Sequence, residues 1–309
     1  MWSAWGHHLM SGSEGALTRA VGLATVLTGG RSDMADIKTL ISERFGRPTE
    51  VGLKGGGETL TQILNHRSIR KYQDKEVSED LVQTLLACAQ SAPAKSDLQQ
   101  YAILRLTDQK KKSRLAELSG TGSIETAPIV LVFCGDIRRI QKISYLRERP
   151  YAQNTVDSFM NAAVDAGLAM QNFVLAAQAS GLGCCYVSQV RNHMQPVCEL
   201  LGLPSGVFPV CGLTAGWPDE ERDVTLRLPP SVVVHDNVYD DANLEMEVNA
   251  YDQRRHNRRP LTPPKQLHED RLGKSEFYGW SEAAARRLSK PATEISLRDF
   301  LLSHGFDLE

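Results

Sequence analysis

Within six consecutive positions, His66-Arg67-Ser68-Ile69-Arg70-Lys71, the chain gathers four cations or potential cations and a hydroxyl. This donor set suits an anion, because an arginine's planar fork of N–H groups matches phosphate oxygens and Ser68 adds a short hydroxyl donor. A solvated basic helix end has the same composition, since cations are favoured at a helix C-terminus. Three further segments carry residues of binding type. Pro93-Ala94-Lys95-Ser96-Asp97-Leu98-Gln99-Gln100 is a polar turn whose small residues allow close backbone approach, although ordinary turns contain the same residues. Tyr186-Val187-Ser188-Gln189-Val190-Arg191-Asn192 lies at the end of an expected strand, where ligands often bind in α/β proteins. Thr225-Leu226-Arg227-Leu228-Pro229 offers one arginine in a proline-bounded loop. Taken singly, each of these three is weak.

Regular elements must position these segments. Leu60, Ile63 and Leu64 are spaced for one helical face and lead directly into His66. Ser78 before Glu79 and Asp80 is an N-cap with acidic first-turn residues, and Leu81, Val82, Leu85, Leu86 and Ala89 continue at helical spacing until Pro93. Tyr101 to Leu106 reads as a strand, Lys110 to Leu118 as a surface helix, and Ile129 to Cys134 as a buried strand. Phe159 to Ala179 is apolar around nearly its whole circumference and ends at Gly181. It must be covered all round, by the core on one side or a second subunit on the other. Cys184 to Val187, Val207 to Ala215 and Val232 to Val234 supply further strands, with a helix around Pro196 to Leu201 stopped by Gly202. After about Tyr251, Arg254, Arg255, Arg258 and Arg259 cluster, and Pro260, Pro263 and Pro264 follow, which reads as an arm. A last helix with Leu297, Phe300 and Leu301 on one face stops at Gly305.

A chain of 309 residues, 41% hydrophobic and 23% charged, has the composition of an ordinary globular protein. Its 35 basic and 37 acidic side chains leave a net charge of −2, so no global positive field favours nucleic acid, and the Arg254 to Arg259 cluster reads as a solvated arm. Six cysteines without a CxxC pair read as reduced, cytoplasmic thiols, and no apolar run is long enough to span a membrane. Metal spacing, a GxSxG elbow, a Walker loop and a strand-following GxGxxG are all missing from the sequence. Gly55-Gly56-Gly57 reads as a linker. Across residues 1–33 Glu14 is the only carboxylate before Asp33, with Arg19 and Arg31 around an apolar run, the pattern of a weak targeting peptide or of a chain that starts at Met34.

In this order, the four segments resemble the nitroreductase superfamily of flavoproteins, in particular its NADPH-preferring flavin reductase and oxygen-insensitive nitroreductase branch. The resemblance rests on His66 to Tyr72, on Leu182-Gly183-Cys184-Cys185-Tyr186-Val187 with Arg191-Asn192, and on Leu201-Gly202-Leu203-Pro204 with Gly212 to Pro218. It covers about Thr59 to Asp252, with a looser C-terminal match through Trp280-Ser281 and the final helix. It implies an α+β sandwich with a central, mostly antiparallel sheet flanked by helices, in a domain-exchanged homodimer with a C-terminal extension. The expected divisions are an N-terminal extension over 1–57, partly disordered or mis-started, an FMN-binding core over 58–252, and a C-terminal arm with a docking helix over 253–309.

The resemblance further implies FMN as cofactor, NADPH or NADH as electron donor, and two-electron ping-pong reduction of nitroaromatics, quinones or flavins, the flavin itself carrying the chemistry. By position, His66, Arg67, Ser68 and Arg70 would hold the phosphate, ribityl and pyrimidine side of FMN, with Arg70 stabilising the reduced form. Ala94, Lys95, Ser96 and Gln99 would approach from one subunit, Tyr186, Val187, Ser188 and Arg191 would flank the ring and phosphate, and Arg227 would complete the phosphate site. Arg255, Arg258 and Arg259 are the candidates for the extra phosphate of NADPH. Two departures stand out: Ser188-Gln189 where relatives carry two glycines, and Thr225-Leu226-Arg227 where they carry Lys-Pro-Arg, which removes a phosphate cation that Lys95 would replace. A reductive dehalogenase of the same superfamily and a non-catalytic flavin-binding protein are the competing readings.

Overall fold

The structure is a computed structural model of the chain and describes residues 37–49, 57–289 and 297–307. The expectations for residues 1–33 lie outside the described residues. In chain order the elements are α1 (Ile37–Phe45), α2 (Glu58–Leu64), α3 (Glu79–Gln90), β1 (Tyr101–Arg105), α4 (Gln109–Ser119), α5 (Ser123–Thr126), β2 (Ile129–Asp136), α6 (Arg138–Leu146), α7 (Val156–Ala179), β3 (Gly183–Val187), α8 (Met194–Leu201), β4 (Val207–Gly216), α9 (Pro230–Val233), α10 (Leu244–Arg258), α11 (Glu269–Leu272), α12 (Trp280–Leu288) and α13 (Leu297–Ser303).

The strands form one antiparallel sheet in the order β1-β2-β4-β3. Every residue of β2 is buried, and its alternation divides the core. Ile129, Leu131 and Phe133 face a layer built by α3 and α7, around Leu85, Phe173 and Ala177. Val130, Val132 and Cys134 face the opposite layer, with Leu115 of α4, Ile124 of α5 and Val197 of α8. The Ser78 N-cap is made, its side chain accepting from Leu81 N, and Gly202 ends α8 in the left-handed region at φ 66°. All six cysteines are free and five are buried. Among the described residues, no helix is long and apolar enough to cross a membrane.

Helix α7 spans the molecule on alanines. Ala162, Ala166, Ala169 and Ala177 are fully buried, so its backbone approaches the sheet closely. Its other face leaves Val156, Met160, Val164 and Leu168 exposed at four-residue spacing, a continuous apolar stripe.

Two expectations need correction, and a third gains detail. Residues 232–234 are not a strand: Pro230 occupies the first helical position, where its missing N–H costs nothing, and Val234 N bonds to Pro230 O at 2.7 Å. The division at 252/253 falls inside α10, whose Tyr251 and Asp252 are buried, so Arg254, Arg255 and Arg258 sit on a helix and not on an irregular arm. Asp252 accepts from Ser281 N at 3.0 Å and thereby ties α10 to the start of α12. Finally, the 1–57 extension contains a folded element, α1, whose Ile37, Leu40 and Arg44 are buried.

Candidate functional site

The stretch after α2 is fixed by its one apolar residue. Ile69 is buried, and its backbone N–H bonds to Cys184 O of β3 at 2.9 Å, while Ser68 forms a parallel bridge with Cys184. With Ile69 turned inward, extended backbone directs Ser68 and Arg70 the other way. Gly183 makes this possible, since a Cβ there would lie 2.6 Å from Ile69 Cβ. Tyr72 then locks the segment to β4: its hydroxyl donates to Ile69 O at 2.7 Å and Thr214 Oγ1 donates back at 2.8 Å. Gly183→Ala is expected to displace Ile69 at a folding cost of about 1–3 kcal/mol, read as a fall in the denaturation midpoint.

Glu220 accepts from the backbone N–H groups of Arg70 at 2.6 Å and Lys71 at 3.2 Å and pairs with Arg222 at 2.7 Å. Arg222, and then those two N–H groups, hold its carboxyl down at about 2. A depressed carboxylate stabilises the fold fully above its ordinary value of about 4.3 and loses that contribution as pH falls towards about 2. Denaturant unfolding should therefore show stability declining from about pH 5 downward, and Glu220→Gln should flatten that part of the profile.

His66 is half-buried. Gln178 Nε2 on α7 donates to its Nδ1 at 2.9 Å, and its ring lies 6.3 Å from that of Tyr186. Burial, followed by Arg44, Arg227 and Arg67, lowers its pKa, so it stands neutral at pH 7. Tyr186 Oη donates to Gln171 Oε1 at 2.5 Å. Burial pushes the Cys185 thiol up, and the nearby Arg70 and Arg222 pull it back, which places the Arg70 guanidinium against β3.

Arg227 comes to the same place from the far side of the chain. Its N–H donates to Arg44 O at 3.0 Å. The Arg44 side chain donates to Thr225 O at 3.0 Å, Leu64 O at 2.5 Å and His66 O at 2.8 Å. Arg258 donates to Glu43 O at 2.9 Å. Burial, then Arg227, Arg67 and Arg258, bring Arg44 down to about 10. Among the described residues, none of these four guanidiniums pairs with a carboxylate. Arg67, Arg258 and Arg259 line an open cavity of about 1130 Å³ whose wall also carries the carboxylates Glu43, Glu220, Glu221 and Asp223.

The remaining candidates are distributed differently. Ser96, Asp97 and Gln99 hold left-handed backbone at φ 51°, 57° and 52°, a costly arrangement for residues other than glycine. Asp165 of α7, 1% exposed, over-determines it by accepting from Lys95 N at 2.9 Å and Gln100 N at 3.0 Å. The Lys95, Ser96 and Gln99 side chains are exposed and Ala94 is half-buried. From Asp165, near the middle of α7, to Gln178 at its C-terminal end the helix rises about 20 Å, so within one chain this turn and His66 are held at well-separated points of α7. Val187 is buried, Ser188 is exposed in a short 3₁₀ turn over 188–191, and Arg191 spends a donor on Val210 O of β4. Arg255 turns aside from Arg258 and Arg259: it donates to Tyr251 Oη at 3.1 Å and, with Arg227, Phe45 and Trp280, lines a separate apolar cavity. Arg44, Asp165, Gln178 and Glu220 were missed in the sequence because none stands in a binding-type cluster.

The chain is similar in sequence and fold to known proteins. Residues 63–217 match the model of the nitroreductase family and residues 226–309 that of the nitroreductase family, C-terminal domain. A CR(VI) reductase of Pseudomonas sp. (strain G-1) is 32% identical over 79% of this chain and 97% of its own length. An NADPH-flavin oxidoreductase of Vibrio harveyi is 38% identical over 63% of this chain and 80% of its own. The structure of NfrA1 nitroreductase from B. subtilis, 31% identical, superimposes with a TM-score of 0.71 over 81% of this chain and 99% of its own. That of NADPH:FMN oxidoreductase from Vibrio harveyi complexed with NAD+, 32% identical, gives 0.66 over 80% and 95%. The signature segment, the sheet it joins and the C-terminal helices are thus those of one lineage, and the chain belongs to the nitroreductase family.

Proposed function

We infer that this chain is an FMN-dependent NAD(P)H oxidoreductase, working as a homodimer on flat electrophilic acceptors such as nitroaromatics, quinones or free flavin. The observation that carries this reading is the convergence of four guanidiniums, without a carboxylate partner among the described residues, beside the 66–70 segment that pairs with β3. A phosphate monoester dianion is the counter-charge such a cluster fits, and the half-buried imidazole and the ring of Tyr186 beside it suit an aromatic ligand that carries one. The residues present therefore fit FMN.

FMN, when bound, accepts a hydride from the nicotinamide and passes an electron pair to the acceptor. The chain's own residues bind and orient. Arg67 and Arg227 hold the phosphate, His66 and Ser68 the ribityl side, and Arg70, directed along β3 by Glu220 at its backbone, offers positive charge where negative charge develops on the ring. Ser188 and Gln189, both exposed, put polar bulk at the ring face that donor and acceptor share. Arg258 and Arg259, on the cavity rim, remain candidates for the extra phosphate of NADPH, whereas Arg255 faces elsewhere.

The homodimer is supported by the exposed stripe of Val156, Met160, Val164 and Leu168. It also gives the turn at 94–99 a role. Set about 20 Å along α7 from His66, this turn reaches the flavin held by the other subunit, with Lys95 as a cation there. Five buried free thiols suit the reducing cytoplasm.

Arg70→Ala is expected to keep FMN and to lower the rate of reduction by NADPH about tenfold or more in stopped flow. An unchanged rate would remove Arg70 from this role. A chain that consumes NADPH with a nitroaromatic or a quinone has the proposed activity; one that acts only on a halogenated phenol is the competing dehalogenase.

A further inference from the structure

Helix α1 lies upstream of both family matches, which begin at residues 63 and 226, yet it sits in the seam between them. Arg44 closes that seam from both ends. Its side chain bonds carbonyls of Leu64 and His66, in the first match, and of Thr225, just ahead of the second. Its own carbonyl receives the N–H of Arg227. Leu226 packs against Gly46, where an added Cβ would lie 2.9 Å from it, so the turn after α1 and the 225–227 loop fit tightly. Arg258 reaches back to Glu43 O from α10. The two segments bearing Arg67 and Arg227 are therefore set relative to each other by this one helix.

The arrangement is costly without an anion. Arg44 is 7% exposed, its donors are spent on neutral carbonyls, and among the described residues no carboxylate neutralises it. Three further guanidiniums stand near enough to repel it. A buried charge in that position is stable only when a counter-charge of matching geometry is supplied. Thr225, which has no cation to offer, stands directly beneath the Arg44 fork.

We propose that α1 is an added latch of the phosphate site, and that Arg44 is a positioning residue: its fork orders the 64–67 and 225–227 segments around a phosphate monoester, and its charge adds to the field there. This rests on the FMN reading above. The same chemistry is carried by the phosphate of FMN and by the 2′-phosphate of NADPH, and the FMN phosphate is the one favoured because Arg227 and His66 share the seam.

The test compares FMN with riboflavin, which lacks only the phosphate, on the full-length apoprotein by flavin fluorescence. Arg44→Gln is expected to weaken FMN about tenfold while leaving riboflavin within about twofold, and Arg44→Lys, which keeps the charge, to restore most of the FMN preference. Equal losses for both flavins would make Arg44 a general fold contact and overturn the proposal, as would an unchanged FMN affinity. A change confined to the NADPH-to-NADH preference would assign the latch to the other phosphate and likewise overturn it. Where Arg44→Gln fails to fold, Arg44→Lys and Arg258→Gln are measured instead, with a selective loss of FMN over riboflavin in Arg258→Gln as the supporting result and parallel losses as the opposing one. Unaltered protein that binds neither flavin would refute the FMN reading itself, a result distinct from any of these.

Discussion

Asp165→Asn is expected to destabilise the chain by about 3 kcal/mol and to collapse the turn at 94–99, read as a fall in the denaturation midpoint. The carboxylate is buried and accepts two backbone N–H groups, one on each of its oxygens. An asparagine keeps the shape but turns a donor toward one of those N–H groups, which leaves a buried donor facing a donor. Hydrogen bonds to a charged acceptor contribute about 1.5–3 kcal/mol each, and an unsatisfied buried donor costs about 1–3 kcal/mol. The turn has little else to absorb the loss, because three of its residues hold left-handed backbone and Arg139, donating to Gln99 O at 2.9 Å, is the main other side chain that fixes it. On the proposed role of the turn at the second subunit's flavin, the same variant should release FMN. A variant with unchanged midpoint and unchanged FMN content would show that the turn holds itself.

Arg227→Gln carries the second large effect. Its backbone stays fixed on Arg44 O, so the substitution removes charge and fork donors and leaves the loop in place. Loss of a charge-assisted, bidentate contact to phosphate should weaken FMN by on the order of 30-fold, about 2 kcal/mol. Raising salt should narrow the difference between variant and parent, since part of it is Coulombic. Arg191→Gln provides the contrast: its guanidinium crosses to Val210 O of β4, whereas that of Arg227 bonds only carbonyls of its own loop, Thr225 O at 3.2 Å and Leu226 O at 3.3 Å, so loss of Arg191 should shift strand packing more than FMN affinity. Equal effects of the two substitutions would contradict the assignment of Arg227 to the phosphate.

The sheet and its covering helices were legible because their signals are local. Continuous apolar runs marked β2 and β4, Ser78 marked the start of α3, and Gly202 the end of α8. The valine run at 232–234 misled because β-branched composition was outweighed by Pro230, whose fixed φ begins a helical turn. The arginines at 254, 255 and 258 read as an arm because their partners, Tyr251 Oη and Glu43 O, are distant or internal to the helix and leave no composition signal. Of the site, the basic stretch from His66 and the arginine at 227 could be named from the sequence. Their convergence could not, because it depends on Arg44, more than 180 residues from Thr225 in the chain, where |i−j| is 181. Asp165 was likewise hidden as the one acid in an otherwise apolar stretch of α7, whose value lies in two backbone contacts rather than in a motif.

Titration of the full-length apoprotein with FMN, followed by visible absorbance and sedimentation, tests the core of this account most directly. Tight uptake of one flavin per subunit on a two-subunit particle, with the flavin bleached on adding NADPH, is the predicted result. A colourless single-chain particle that takes up no FMN at saturating concentration would contradict it.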